Sequence, residues 1–240
     1  PYEPIAEDNC DSNAEVIYDG ETRTDGECAD AYTLTRTWTA VDACGNTNVH
    51  IQTISVQDTQ APVWVDVPND LTVECNAVPD PYEPAAEDNC DDDVEITFSE
   101  TRADGDCPNR YVLTRTWMAS DNCSNSTLHT QTITVTDNMP PTAVCQDITV
   151  ELDQDGEATI TGAQVDNGSA DNCGAVTLTV SPASFTCANL GTNVVTLTAT
   201  DACGQMATCT ANVTVTLSGG GTTLPTVTLN QNPAVLCSGD

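Results

Sequence analysis

From residue 33 the chain reads TLTRTWTA. Leu34, Arg36, Trp38 and Ala40 share one parity and Thr33, Thr35, Thr37 and Thr39 the other. A period of two places the two sets on opposite faces of a β-strand. Short alternating runs rich in Thr, Val and Ile recur along the chain, divided by clusters of Asp, Asn and Gly, which is the punctuation of strands and turns. No stretch carries apolar residues at helical spacing. In the middle third the pattern predicts strands over 61–67, 71–75, 94–101, 111–120 and 127–136, with a shorter one around 83–87. About six or seven short strands in some 80 residues suit a small Greek-key sandwich of the immunoglobulin kind.

The chain repeats itself. PYEPIAEDNC at 1–10 returns as PYEPAAEDNC at 81–90, TLTRTWTAVDAC at 33–44 as VLTRTWMASDNC at 112–123, and QTISVQD at 52–58 as QTITVTD at 131–137. A diverged third copy follows in GSADNCG at 168–174, VVTLTATDACG at 194–204 and ANVTVT at 211–216. Ala-Pro or Pro-Pro after each terminal Asp marks linkers at 58–62 and 137–141. The predicted architecture is therefore all-β, an elongated array of tandem immunoglobulin-like Greek-key sandwiches stapled by disulfides. Residues 1–58 are expected to be a domain lacking its first strand, 59–137 and 138–216 two further domains, and 217–240 a Gly-rich linker opening another strand, TVTLNQNPAVLC. Aligning Asp201 with Asp42 puts Val195 at the place of Arg36 and Leu197 at that of Trp38. Arg36 is accordingly expected to point inward, near a carboxylate. Trp64 alternates away from Val63, Val65 and Val67, so it is expected at a domain junction.

Thirteen cysteines in 240 residues point to an oxidising compartment. Zinc is disfavoured, since no C-x-x-C occurs and His50 and His129 are the only histidines. Following strand directions through the second domain pairs Cys90 with Cys123 at one end and Cys75 with Cys107 at the other. Cys10 then pairs with Cys44 by analogy, leaving Cys28 and Cys237 without partners. In the third domain Cys145 and Cys209 are expected to meet, and Cys173 and Cys203 match the first pair, which leaves Cys187 over. A Cys173–Cys187 bridge with Cys203 free is the rival arrangement.

There is no lysine, and five arginines face 37 acidic residues, for a net charge of -32. Such a chain cannot neutralise phosphates, which excludes nucleic acid as a direct partner. It is also repelled by an anionic membrane surface, and no apolar run approaches the ~18 residues of a membrane span. Catalysis has little to work with. His50 and His129 are equivalent positions roughly 30–40 Å apart, and no nucleophile elbow or phosphate-cradling loop is present. Neither an enzyme nor direct membrane insertion is expected.

The acidity has one sharper reading, calcium at the domain junctions. The expected strand path brings Glu87, Asp88 and Asp121 together with the linker residue Asp58. The set recurs as Glu7, Asp8 and Asp42 above and as Asp137, Asp171 and Asp201 below. Calcium takes six to eight hard oxygens at about 2.3–2.6 Å, which carboxylates, Asn side chains and backbone carbonyls supply. The competing reading is that these Asp residues make local turn hydrogen bonds and stay solvated.

The units EDNCD, TLTRTWTAVDACGN and QTISVQDTQAPV resemble the HYR-related immunoglobulin-like repeats of giant secreted surface proteins of Bacteroidota. PPTAVCQDITVELDQDGEATITGAQVDNGSADNCG resembles a second repeat type of the same proteins. The resemblance covers about residues 1–216, and the tail at 224–240 looks like the opening of another bacterial Ig-like repeat. It implies an extracellular, cell-surface location, export by type 9 secretion, and a role in adhesion or in gliding-motility filaments. On that basis the chain is expected to be a stalk segment of a long extracellular fibre. Its partners would be neighbouring domains of the same chain or other fibre subunits. The alternatives are an adhesive module that itself binds a glycan or protein, and accessory domains of a secreted enzyme.

Overall fold

The computed structural model describes residues 3–10 and 12–217. The expected linker and strand beyond Leu217, with Cys237, lie outside the described residues. The chain divides into two compact units. Among the described residues, one gathers those up to 70 with 80–101 and 114–132, and the other 71–79, 102–113 and those from 133 to 217.

The fold is all-β, as the alternation predicts. The first repeat forms a three-stranded antiparallel sheet of β1 (Glu15–Asp25), β2 (Tyr32–Val41) and β3 (Thr47–Val56), in the order β1-β2-β3. The second repeat supplies β4 (Val63–Asp66), β5 (Leu71–Glu74), β6 (Ala85–Glu87), β7 (Glu95–Asp104), β8 (Tyr111–Ser120) and β9 (Ser126–Thr136). Here the sheet has four strands, β5-β9-β8-β7, and β4 pairs with β6 in a second layer. The third repeat contains β10 (Ile148–Leu152), β11 (Glu157–Thr159), the single-turn α1 (Gly162–Val165), β12 (Thr177–Ser181), β13 (Ser184–Thr186), β14 (Gly191–Thr200) and β15 (Met206–Leu217). Its sheets are β10-β15-β14-β12 and β11-β13. In the second and third repeats the leading strand runs parallel to the last one, β5 along β9 and β10 along β15.

The inward parity is the one read from the sequence. Trp38 and Trp117 are buried, and Val195 and Leu197 fill the corresponding places of the third repeat. Arg115 is 3% exposed and donates to Glu100 at 2.7 Å. Its equivalent Arg36 donates to Glu21 at 2.6 Å from a less covered position. A buried guanidinium is tolerated because a carboxylate and a carbonyl, Asp80 O at 3.2 Å, take its donors.

Around β4 the facing differs from the expectation. Val63 and Val65 are 70% and 58% exposed, while Trp64 is half-buried with its ring 6.4 Å from that of His129. The register slips between Trp64 and Asp66, and the large indole takes the inner side of this short, irregular strand. His129 is a structural residue in the same stack, 6.0 Å from Trp117 and 2.9 Å through Nε2 from Pro68 O.

The β7–β8 turn is tight. Gly105 N donates to Arg110 O at 2.8 Å, and a Cβ at Gly105 would lie 2.5 Å from that oxygen. Only glycine fits such an approach. Gly26 repeats the arrangement against Ala31 O. These two turns carry Cys107 and Cys28.

Candidate functional site

The disulfides run between repeats. Cys28 is bonded to Cys123, Cys107 to Cys203 and Cys75 to Cys173, with Cα–Cα distances of 5.0, 5.2 and 5.6 Å. Cys145–Cys209, the pair expected in the third repeat, is formed within it at 5.9 Å. The expected pairs Cys90–Cys123, Cys75–Cys107, Cys10–Cys44 and Cys173–Cys203 are not formed, and neither is the rival Cys173–Cys187. The physical reason is that a hairpin-turn cysteine and a leading-strand cysteine of one repeat meet the two Asp-rich loops of the next. Each therefore has a nearer partner across the repeat boundary than along its own repeat. Cys10, Cys44 and Cys90 are exposed free thiols.

Each loop cysteine follows an aspartate whose carboxylate folds the loop. Cys90 N donates to Asp88 Oδ1 at 2.9 Å, Cys123 N to Asp121 Oδ1 at 2.9 Å, Cys173 N to Asp171 Oδ1 at 2.8 Å and Cys203 N to Asp201 Oδ1 at 2.8 Å. These are Asx turns, as the solvated-turn reading requires. They use one carboxylate oxygen and leave the fate of the other to the surroundings.

At the second linker the other oxygens converge. Asp137, Asp171 and Asp201 each bring a carboxylate oxygen within 4.8 Å of the other two. Asp137 is fully buried and Asp201 is 6% exposed. Oδ2 of Asp171 and Oδ2 of Asp201 are buried with no hydrogen-bond partner. Asp137 takes a weak bond from Asn109 Nδ2 at 3.2 Å, and its backbone oxygen accepts from Arg110 Nη2 at 2.9 Å and Gln205 Nε2 at 3.0 Å. Burial, followed by the charges of Asp171, Asp201 and Glu74, pushes its carboxyl above the usual range against the opposing Asn109 bond. An unpartnered buried carboxylate oxygen is costly, and three side by side repel one another.

At the first linker the gathering is smaller. Asp58 and Asp88 come together with the thiol of Cys90 within 4.8 Å, and Oδ2 of both aspartates is again unpartnered. Asp121 belongs to a neighbouring loop, but its Oδ2 accepts from Asn125 Nδ2 at 2.8 Å and is occupied. Glu87 is exposed on β6 opposite Val63 and stands outside the cluster. The third expected set does not converge among the described residues. Glu7, Asp8 and Asp42 line one groove of about 500 Å³. Asp42 is held by Asn46 Nδ2 at 2.6 Å and Asn46 N at 2.7 Å, which keep its carboxyl below the usual range.

The two loops differ at three positions, and the difference that bears on the second carboxylate oxygen is Asn125 against Gln205. The shorter Asn reaches its own Asp121, whereas Gln205 reaches past Asp201 to the linker oxygens of Asp137 and Met139, at 3.0 and 3.4 Å. That frees Asp201 Oδ2. The sequence carries this signal, since DNCSN and DACGQ occupy the same place in successive repeats.

No protein-family model matches the chain, and no curated protein matches it in sequence. Among solved structures it is similar to extracellular cadherin domains 1–5 of protocadherin gamma B2, at 14% identity and TM-score 0.33, over 84% of this chain and 52% of that one. Drosophila N-cadherin EC1-4 is matched at 14% identity and TM-score 0.29, over 85% and 67%. Human mucin-like protocadherin EC1-2 is matched at 16% and 0.32, over 67% and 100%. The chain thus spans about half of the protocadherin gamma B2 segment. Scores of this size carry no argument about activity.

Proposed function

We propose that this chain is a structural, non-catalytic segment of an extracellular fibre or adhesin, held together by inter-repeat disulfides and by calcium at the Asp137–Asp171–Asp201 cluster. The observation that carries the reading is the pair of buried, unpartnered oxygens of Asp171 and Asp201 beside the fully buried Asp137. A divalent cation supplies the missing partner for each and removes their mutual repulsion. Calcium is the cation of choice for an all-oxygen donor set of this kind, since water and backbone carbonyls complete its shell. Asp58 and Asp88 form a weaker site of the same type. Cation binding ties the 137–141 linker to two loops of the third repeat, which Cys75–Cys173 and Cys107–Cys203 already clamp. A linker bridged by two disulfides and neutralised by a cation resists extension, which is what a load-bearing surface segment needs. An extracellular setting agrees with the disulfides and with a net charge of -32 that screening by salt renders tolerable.

The test is thermal unfolding and limited proteolysis of the whole chain in calcium and in chelator. A site filled at about 100 times its Kd adds ~2.7 kcal/mol, so calcium should raise the melting temperature and protect the bonds at 138–141. Equal melting and equal cleavage in the two buffers would leave the aspartates as solvated turn residues.

A further inference from the structure

Among the described residues the first repeat shows no counterpart of β5 or β10 beside its last strand. In its two successors β5 lies parallel to β9 and β10 parallel to β15, whereas among the described residues the outer edge of β3 has no partner. The consequence shows in the core. Leu113, Ile133 and Val135 are 7%, 0% and 1% exposed beneath Val73, Cys75 and Val78. Their equivalents Leu34, Ile54 and Val56, each 79 positions earlier, are only half-buried.

A second observation falls at the same place. Cys173 lies with Asp137 and Glu74 at the end of β9, and it is bonded to Cys75, the residue that follows β5. Cys90 lies in the equivalent loop with Asp58, just past the end of β3, and its thiol is free. The open edge, the half-buried apolar residues and the free thiol are the counterparts of what β5 pairs with and covers, and of what Cys75 bonds, one repeat later.

We infer that the β3 edge and Cys90 form an acceptor site for a parallel β-strand of the pattern apolar–x–apolar–x–Cys, of which Leu71–Cys75 is the example within this chain. The strand pairs with Ile54–Gln57 as Leu71–Glu74 pairs with Ile133–Thr136, covers Leu34, Ile54 and Val56, and brings its cysteine to Cys90. This is strand addition to an exposed edge, with main-chain bonds giving affinity and alternate side chains giving selectivity. Bond closure removes two protons and two electrons from the two thiols, taken up by a disulfide-class oxidant that becomes a dithiol.

The probe is a synthetic peptide with the sequence of residues 69–78, its cysteine carried as a mixed disulfide with thionitrobenzoate. Cys90 thiolate attacks the peptide sulfur and releases thionitrobenzoate. With the whole chain, labelling should favour Cys90 over Cys10 and Cys44 by at least about tenfold, the advantage of a docked over a free reactant. A peptide with residues 71–74 permuted to break the alternation should lose the preference, and Ile54–Gln57 amides should gain hydrogen-exchange protection only with the native order. Equal labelling of the three thiols, or equal behaviour of the two peptides, would overturn the site. So would full protection of Ile54–Gln57 in the chain alone, because the edge would then already be covered by a segment of the chain itself or of a second copy.

Discussion

Cys28 and Cys123 lie 95 residues apart and are bonded, and the bond recurs one repeat later between Cys107 and Cys203, 96 residues apart. Cys75–Cys173, at 98, joins the second and third repeats a second time, through different elements. The separation exceeds the repeat, so each bridge necessarily crosses from one repeat into the next.

Non-reducing peptide mapping should accordingly yield Cys28 with Cys123, Cys75 with Cys173, Cys107 with Cys203 and Cys145 with Cys209. In the chain-entropy account, closing a loop of about 100 residues is worth ~4.7 kcal/mol. The double variant Cys107→Ser/Cys203→Ser should therefore lose about 4 kcal/mol in urea unfolding, with the Cys75–Cys173 peptide still recovered. A Cys75–Cys107 or Cys90–Cys123 peptide would contradict the ladder.

The strands were legible because their alternation is strong, and the inward Arg115 was legible because its counterpart in the third repeat is Val195. Of the bridges, Cys145–Cys209 was legible and the three that cross between repeats were not. Strand directions indicate which end of a repeat a cysteine occupies, and they carry no information on which repeat supplies the partner. The constant spacing of 95–98 residues was present in the sequence as a countable signal. The convergence of Asp137, Asp171 and Asp201 was readable from their loop positions. The exclusion of Asp121 was not, because it turns on whether residue 125 or 205 is one methylene longer. Trp64 was misplaced because a four-residue strand with a register slip offers too few positions for a period of two to fix its facing.

The repeated arginines should differ in energetic weight. Arg115 has a side chain 4% exposed and Arg36 one 26% exposed, though both meet a glutamate at nearly the same distance. Breaking a buried pair costs about 3–5 kcal/mol, and breaking an accessible one about 0–1 kcal/mol. Arg115→Ala should therefore destabilise the chain by roughly 3 kcal/mol and Arg36→Ala by under about 1 kcal/mol, measured by urea unfolding. Equal losses would mean that burial does not distinguish the two sites.

Asp137 makes the cation-free chain pH-sensitive in a defined direction. Its folded carboxyl sits above the unfolded value, through burial first and then the neighbouring carboxylates. The folded state therefore holds the proton more tightly. Relative to low pH, stability from this group falls as pH rises through the window between the unfolded and the folded value, and the penalty is complete above it. Asp137→Asn removes the charge, so in chelator at neutral pH it should raise the melting temperature. The gain should vanish below the ordinary carboxylate range, where both chains are neutral at 137. Melting scans from pH 3 to 8 on the two chains decide this, and a pH-independent difference would assign the effect to packing.

The sharpest discrimination available is between Asp201 and Asp121, which hold the same place in successive repeats. Each carboxylate uses Oδ1 to accept the backbone amide of the following cysteine and that of the residue four positions on. They differ in Oδ2, which is buried without a partner in Asp201 and accepts Asn125 Nδ2 at 2.8 Å in Asp121. An Asp→Asn change preserves the Oδ1 bonds of both loops, so folding in chelator should be little altered at either site. In Asp201→Asn a cation ligand is replaced by an amide, and the calcium-dependent rise in melting temperature should be largely lost. In Asp121→Asn the rise should persist, because that oxygen faces its own asparagine and not the cluster. Gln205→Asn tests the same geometry from the other side. The shorter amide reaches back to Asp201 Oδ2 as Asn125 reaches Asp121, so it should weaken calcium binding without removing any carboxylate. Calcium titration by calorimetry, read together with the melts, separates the three. If Asp121→Asn abolishes the calcium response as fully as Asp201→Asn does, the cluster assigned to Asp137, Asp171 and Asp201 is not the site.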